Sequence, residues 1–550
     1  MKITALRWVF LALISSGSLA QAHGQTLDSS DLPILIIDTQ GQFIPDEPKI
    51  VSTIKIIDNG KGKRNKITDA LAFAGKIGIE QRGATSRQFF PKKPYGFELR
   101  DTSGLVGVSK SILGLPSEED WVLNATYNDK TLIREVLTYD LYRSFSPLYV
   151  PRYKFCEVML NGKYEGIYIL FEKIKRDKNR VDISKLEPKD NAGDALTGGY
   201  ILKIDKTEGN VSRKWTSPYP SPVSPQFTIP IQVEYPKFDD LTEPQFAYIK
   251  KYVTDFENVL KGDNFRDPNQ GYAKYIDVDS WVNYFIINEV SRNLDAFRLS
   301  TFFYKNKDSR GGKLTMGPIW DYNITYGNAN YCNGERIQGW AFDFNRACPA
   351  DVYQMPFWWD RLLSDVSFAD KVRARYRSLR QNQLKTDNIH RYIDSTAIVL
   401  QEARVRNFTR WPVIGQNIWP NFYVGATYQD EVAYLKTYTA RRLEWMDQEI
   451  VTLGVPITAT EPEVLSFEFK VFPNPASEKV HISFNLATAS VVKLQAYDLR
   501  GRVLHETSLG RLAPGAHQVL EMLPESGKGI EFFGLEIDGK RAAVRRVLRE

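Results

Sequence analysis

Hydrophobic and polar positions change their period repeatedly along the chain. Between residues 50 and 205 apolar residues recur at every second position, as in "KIGIEQRG" and "KPYGFELRD", which predicts strands with one face buried. "FCEVMLNGKYEGIYILFEKI" reads as two strands joined at Asn161-Gly162, a pair suited to a tight hairpin turn. One helix interrupts them: "DKTLIREVLTYDLYRSF" places Leu132, Ile133, Val136, Leu137 and Leu141 on one face. Residues 209–232 are rich in Pro and Ser and predict a long surface loop. Helical periods then dominate. "TEPQFAYIKKYVTDFENVL" starts with Thr242 as N-cap and Pro244 in its first turn, and "DVDSWVNYFIINEVSRN" follows. A strand pair, "LSTFFYKN" and "GKLTMGPIW", turns through Gly311-Gly312, and further helices run to about residue 452. After 465 the period returns to two, with turns at Asn474-Pro475, Arg500-Gly501 and Asp538-Gly539.

These patterns predict an α+β chain of several parts. A chain of 550 residues exceeds one ordinary core. Residues 1–22 have the form of a signal peptide, with Lys2 and Arg7, the apolar run "WVFLALI" and a small-residue cleavage site, "AQA". Residues 23–50 read as a lead-in segment, 51–455 as the main domain, 456–465 as a linker and 466–550 as a small all-β domain. Beyond the signal no segment reaches about eighteen uninterrupted apolar residues, so no integral membrane segment is expected.

Charge narrows the partners. The net charge of +6 comes from 72 basic and 66 acidic residues that are mixed along the chain, so no nucleic-acid partner is expected. Only three cysteines occur, and in an oxidising compartment Cys332 can pair with Cys348. No cysteine–histidine cluster suggests zinc. His390 is the only histidine between residues 25 and 455, which argues against serine or cysteine nucleophiles that rely on a histidine base. Chemistry here falls to carboxylates, lysines, arginines or an oxygen-ligated metal.

Two acids stand out. Asp295, in "SRNLDAF", follows the most apolar helix, and Asp321 follows the Gly317–Trp320 stretch at the end of the next strand pair. Helix, acidic loop, hairpin, acid is the order in which protein kinases place the proton-accepting Asp and the metal-binding Asp. Upstream, "RGATSRQFFPKKPYGFEL" offers Arg87 and Lys93 on a loop that enters a strand, and Arg134 sits on the first helix. A carboxylate pair also suits a glycosidase, so that reading stays open at this point.

The stretches "SRQFFPKKPYGFELRD", "LGLPSEEDWVLNATYNDKTLIREVLTYDL", "LNGKYEGIYILFEKI", "GGYILKID", "YIDVDSWVNYFIINEVSRNLD" and "GPIWDYNITYGN" resemble the CotH kinase family of atypical protein kinases. The resemblance implies a two-lobed kinase-like fold, ATP and Mg or Mn. It implies Asp295 as catalytic acid and Asp321 with Asn323 as metal residues. Arg87, Lys93, Arg134 and Glu172 fall on the nucleotide side, with Glu172 at the expected hinge. Residue 323 departs from the family, which usually has Asp there. The tail, "VFPNPASEKVHISF" with "VKLQAYDLRGRVL", resembles the β-sandwich sorting domain of type IX secretion in Bacteroidota. Together these imply a secreted or surface-exposed kinase that acts on Ser/Thr hydroxyls of secreted proteins, exported through the periplasm by the type IX machinery. The alternative is an inactive kinase fold that serves as a surface-binding or matrix protein.

Overall fold

A computed structural model describes residues 27–207, 212–454, 469–497, 503–523 and 529–549. The expected signal peptide, the linker 456–465 and the turn at Arg500-Gly501 lie outside the described residues. The chain divides into two units, residues 1–455 and 456–550.

The first unit opens with a closed barrel. Its strands, in spatial order, are Ile34–Asp38, Ile50–Ile57, Phe73–Gln81, Tyr95–Arg100, Asp120–Asn124, Lys163–Glu172 and Tyr153–Leu160. Closure comes from parallel pairing of Ile34–Ile37 with Glu157–Leu160. The period-two pattern sends Leu35, Ile54, Ile77, Leu99, Leu123 and Leu170 into the barrel interior. Cys156 joins them as a free, fully buried thiol. The described part of residues 23–50 is therefore not a separate lead-in. It supplies a barrel strand, because "ILIID" has apolar groups for two faces: Leu35 and Ile37 point inward, and Ile34 packs outside with Leu27, Ile57 and Tyr164. At the hairpin, Asn161 and Gly162 take φ of 51° and 75°, as a type I′ turn requires.

Below the barrel lies an antiparallel sheet in the order Lys214–Thr216, Pro230–Tyr235, Tyr200–Ile204, Thr301–Lys305 and Leu314–Met316. The Pro/Ser-rich stretch 209–232 thus does more than loop. Trp215 is buried in an edge strand, and the hydroxyls of Ser221 and Ser224 donate to Gln354 and to the Pro349 carbonyl at 2.6 Å each. Helices Arg134–Phe145, Glu243–Lys261, Val278–Ser291, Val366–Arg380 and Tyr428–Glu449 share one large apolar core with this sheet. Val278–Ser291 is buried on every side from Ser280 to Ser291, which accounts for its nearly continuous apolar sequence. Within that core Glu289 accepts hydrogen bonds from the amides of Ala341 and Phe342 at 2.6 and 2.9 Å, and it pairs with Arg442 at 3.1 Å. Cys332 and Cys348 form a disulfide. Among the described residues no helix is long and apolar enough to cross a membrane.

The helix that carries Arg442 starts with a capping box. Thr427 Oγ1 accepts the Asp430 amide at 3.2 Å, and the Thr427 amide donates back to Asp430 Oδ2 at 2.8 Å. Thr427→Ala should lower stability by about 1 kcal/mol, read from chemical denaturation of the full chain. A change near zero would mean that packing alone fixes this helix start.

The described residues of the second unit form two sheets, one of three strands (Lys470–Phe472, Lys479–Leu486, Gly515–Met522) and one of four (Val503–Leu512, Ser490–Tyr497, Gly529–Ile537, Lys540–Arg549). Val480, Ile482 and Phe484 share one apolar core with Val492, Leu494 and Leu535 from the other sheet. Asp538 and Gly539 turn the last hairpin with φ of 48° and 77°.

Candidate functional site

A cavity of about 680 Å³ opens in the first unit, lined by one end of the barrel and by loops from the sheet and the buried helix. Its size falls within the range of roughly 300–1,000 Å³ typical of small-molecule sites. Four segments bring together the acids Asp295, Asp321, Asp205 and Glu135. Helix Val278–Ser291 ends at Arg292, whose left-handed backbone (φ 44°) releases the chain into the loop that carries Asp295. Leu314–Met316 leads through Gly317 into the loop that carries Asp321, itself left-handed at φ 65°. Asp is among the few side chains that tolerate this region. Hydrogen bonds tie the Asp321 loop to the helix that precedes Asp295: the Tyr326 amide donates to the Ser291 carbonyl at 2.8 Å, and Tyr322 OH donates to Asn288 Oδ1 at 2.8 Å. Asp205, at the end of the central strand, adds a third carboxyl, and Glu135 on helix Arg134–Phe145 a fourth.

This crowding governs the acids' charge. Burial, then the nearby Asp295 and Asp205, push the Asp321 carboxyl up to about 7, against the pull of Lys206 and Arg82. Burial and then Asp321 push Glu135 up to about 8. Burial also raises Asp205. Removing a like charge or adding a cation would favour the ionised forms.

The cations differ in how far they are already satisfied. Arg298 bridges Asp295 at 3.2 Å and Asp351 at 3.3 Å. Arg87 pairs with Asp46 at 2.8 Å. Lys92 is buried, bonds the Ile167 carbonyl and, at 3.1 Å, Asn407 Oδ1, and is pushed down to about 7 by burial. Among the described residues the Lys206 ammonium donates to the Thr85 hydroxyl, at 3.1 Å, and lies over the Tyr353 ring. Arg82 lies over the Trp320 ring, 5.6 Å from its centroid, and among the described residues its guanidinium has no hydrogen bond or ion pair. Its loop turns at Gly83 (φ 83°), where a Cβ would stand 2.5 Å from Ser86 Oγ.

Of the residues singled out from sequence, Arg87, Asp295, Asp321 and Asn323 line the cavity, and Lys93, Arg134 and Glu172 do not. Lys93 donates to the Arg87 carbonyl at 2.6 Å and so braces the loop. Arg134 faces Asp129, at 2.6 Å, because successive residues on a helix diverge by about 100° and its neighbour Glu135 takes the cavity side. Glu172 is fully buried and held by Arg152 at 2.8 Å and Tyr149 OH at 3.0 Å, while Phe171 before it reaches the cavity. Sequence reasoning passed over Arg82, Lys206, Asp205 and Glu135. The available signals were the Arg before Gly83, the Asp-Lys pair that ends "YILKIDK" and the acid inside an apolar helix.

The donor set suits a hard divalent cation, since every candidate ligand atom is oxygen. Among the described residues the tightest acidic triple is Glu118, Glu119 and Asp120, away from this cavity, and Lys175 already bridges all three at 3.0, 2.8 and 3.0 Å. In the cavity, Asp321 is crowded by acids that a cation would relieve. Mg²⁺ commonly takes one or two carboxylates and completes its shell with phosphate oxygens and water.

Residues 79–446 match the family described as CotH kinase protein, a span that contains every cavity-lining residue from Arg82 to Trp419. Residues 470–520 match the family described as secretion system C-terminal sorting domain. The inner spore coat protein H of Bacillus subtilis (strain 168) is 24% identical over 286 residues, which cover 52% of this chain and 67% of that protein. A Pseudomonas fluorescens alkylpurine DNA glycosylase, AlkC, bound to DNA with an abasic site analog, aligns at a TM-score of 0.12 and 12% identity. That alignment covers 35% of this chain and 54% of the glycosylase chain, and a score so low carries no argument about fold or function.

Proposed function

The chain belongs to the CotH kinase protein family, and from that premise we propose that it transfers the γ-phosphoryl group of ATP to Ser/Thr hydroxyls of secreted proteins, from a cleft between two kinase-like lobes. Its sorting domain, of the kind read by the type IX secretion machinery, directs it to the cell surface. The observation that carries the proposal is the pair of cations beside Asp321. Arg82 and Lys206 both line the cavity, both draw the Asp321 carboxyl toward its ionised form, and among the described residues neither the Arg82 guanidinium nor the Lys206 ammonium has an ion pair. Guanidinium and ammonium donors left open beside an acid fit an oligophosphate accompanied by a divalent cation.

In this reading each residue has a task. Arg82 and Lys206 hold phosphate oxygens and fix the nucleotide. Asp321, with the Asn323 side chain, would hold Mg or Mn, which neutralises phosphate charge when bound. Asp295 accepts the proton of the attacking hydroxyl as the new P–O bond forms and ADP departs. Arg298 holds the Asp295 carboxylate in place through Oδ1. A second reading, a nucleotide-binding surface protein without transfer, draws on one feature: Asn323 is neutral where a second acid on that loop would strengthen the cation's hold.

Calorimetric titration of the full chain with ATP, in Mg²⁺ or in Mn²⁺, tests the proposal. Binding that requires the cation is expected, and Arg82→Ala should weaken it by tenfold or more, as the loss of a charge-assisted contact implies. Absence of binding with both metals would refute the nucleotide reading altogether.

A further inference from the structure

We infer that Glu135 supplies the second carboxylate of the divalent cation site, opposite Asp321. The inference rests on the nucleotide reading given above. Of the six acids that line the cavity, Asp46 is paired with Arg87 and Asp351 with Arg298, and Asp321 is the only carboxylate on its own loop, because residue 323 is Asn. Asp295 is already paired with Arg298 at 3.2 Å. Asp205 has Lys203 as a cationic neighbour. Glu135 is different. It is only 4% exposed, and the buried Ile133, Val136 and Leu137 surround it on its helix.

Its oxygens meet neutral donors alone. Asn124 Nδ2 donates to Oε2 at 2.7 Å and Tyr139 OH donates to Oε1 at 3.2 Å. Among the described residues no lysine or arginine forms an ion pair with it, and the adjacent Arg134 is committed to Asp129. A carboxylate buried without a cation is costly, and a second acid facing it raises that cost. A cation between Glu135 and Asp321 removes both penalties at once. The arrangement also explains how a loop with Asn at 323 keeps two charged ligands: one comes from the loop and one from the helix. The rival role for Glu135 is a brace, since Tyr139 and the Tyr322 amide both approach its carboxyl.

Electron paramagnetic resonance of free Mn²⁺, titrated into the purified full chain with and without ADP, separates these roles. Wild type should bind Mn²⁺ in the presence of ADP. Glu135→Gln should weaken that binding at least tenfold, and adding Asn323→Asp to it should restore most of the loss by returning a carboxylate to the loop. Tyr139→Phe removes one hydrogen bond of the brace and keeps the acid, so its Mn²⁺ affinity should stay within about twofold of wild type. Wild-type affinity in a folded Glu135→Gln chain overturns the inference while leaving the nucleotide reading standing. A loss that Asn323→Asp does not restore, or that Tyr139→Phe reproduces, also overturns it and makes Glu135 a brace. Failure of wild type to bind Mn²⁺ with ADP removes the nucleotide reading and the inference together.

Discussion

Asp295→Asn should bind nucleotide and cation as the native chain does, yet transfer phosphate at least about 100-fold more slowly, the usual scale of general-base assistance. Asn nearly matches Asp in size and keeps an oxygen for Arg298, so the loop should hold its shape. The residue 295 amide donates to Asn293 Oδ1 at 3.1 Å, and the substitution leaves this backbone donor intact. What disappears is a basic site for the hydroxyl proton. The measurement is transfer of labelled γ-phosphate to a secreted protein fraction, alongside calorimetric binding of ATP. Equal transfer by the mutant and the wild type would remove Asp295 from catalysis. Loss of binding instead would make it part of the cation's surroundings.

A larger effect on stability is expected at the core ion pair. Glu289→Ala should destabilise the first unit by about 3–5 kcal/mol, the range seen when one member of a buried pair is removed. Both side chains are fully buried, and burial works against both charges, raising Glu289 and lowering Arg442. The substitution strands the Ala341 and Phe342 amides that the carboxylate accepts. Arg442 would keep its bonds to the carbonyls of Glu289, Ile337 and Gly339, at 3.0, 2.5 and 2.7 Å, but lose its counter-charge. Urea denaturation followed by intrinsic fluorescence reads the change. A loss under about 1 kcal/mol would mean that water or a neighbouring carbonyl compensates the arginine far better than such sites allow.

Much of this architecture was legible in the residues because local rules and tertiary packing agree. Period two marked the barrel strands Phe73–Gln81 and Tyr95–Arg100, and Asn161-Gly162 marked the turn that joins two of them. Helix Val278–Ser291 was visible as an apolar run, and the structure adds Asp277 as its cap. Closure of the barrel was not visible, since the pairing of Ile34–Ile37 with Glu157–Leu160 joins segments far apart in sequence. At the cavity, the sequence order of Asp295 and Asp321 pointed to two acids, whereas the choice among basic residues depended on partners that no local pattern reveals. Arg87 stood out in the sequence and Arg82 did not, yet Arg87 is paired with Asp46, from a distant turn. Arg134 and Glu135 are adjacent letters, and only the helix phase against Asp129 decides which one faces the cavity.

The lone thiol of Cys156 has a practical consequence. It sits fully buried inside the barrel, burial pushes its ionisation up, and the other two cysteines are joined to each other. A thiol-specific reagent therefore meets no reactive cysteine in the native chain and one when the barrel opens. The rate of alkylation in dilute denaturant would clock barrel opening directly, while helix loss is followed by circular dichroism in the same sample. The protein carries its own chronometer for asking whether its barrel and its helical core come apart together or in turn.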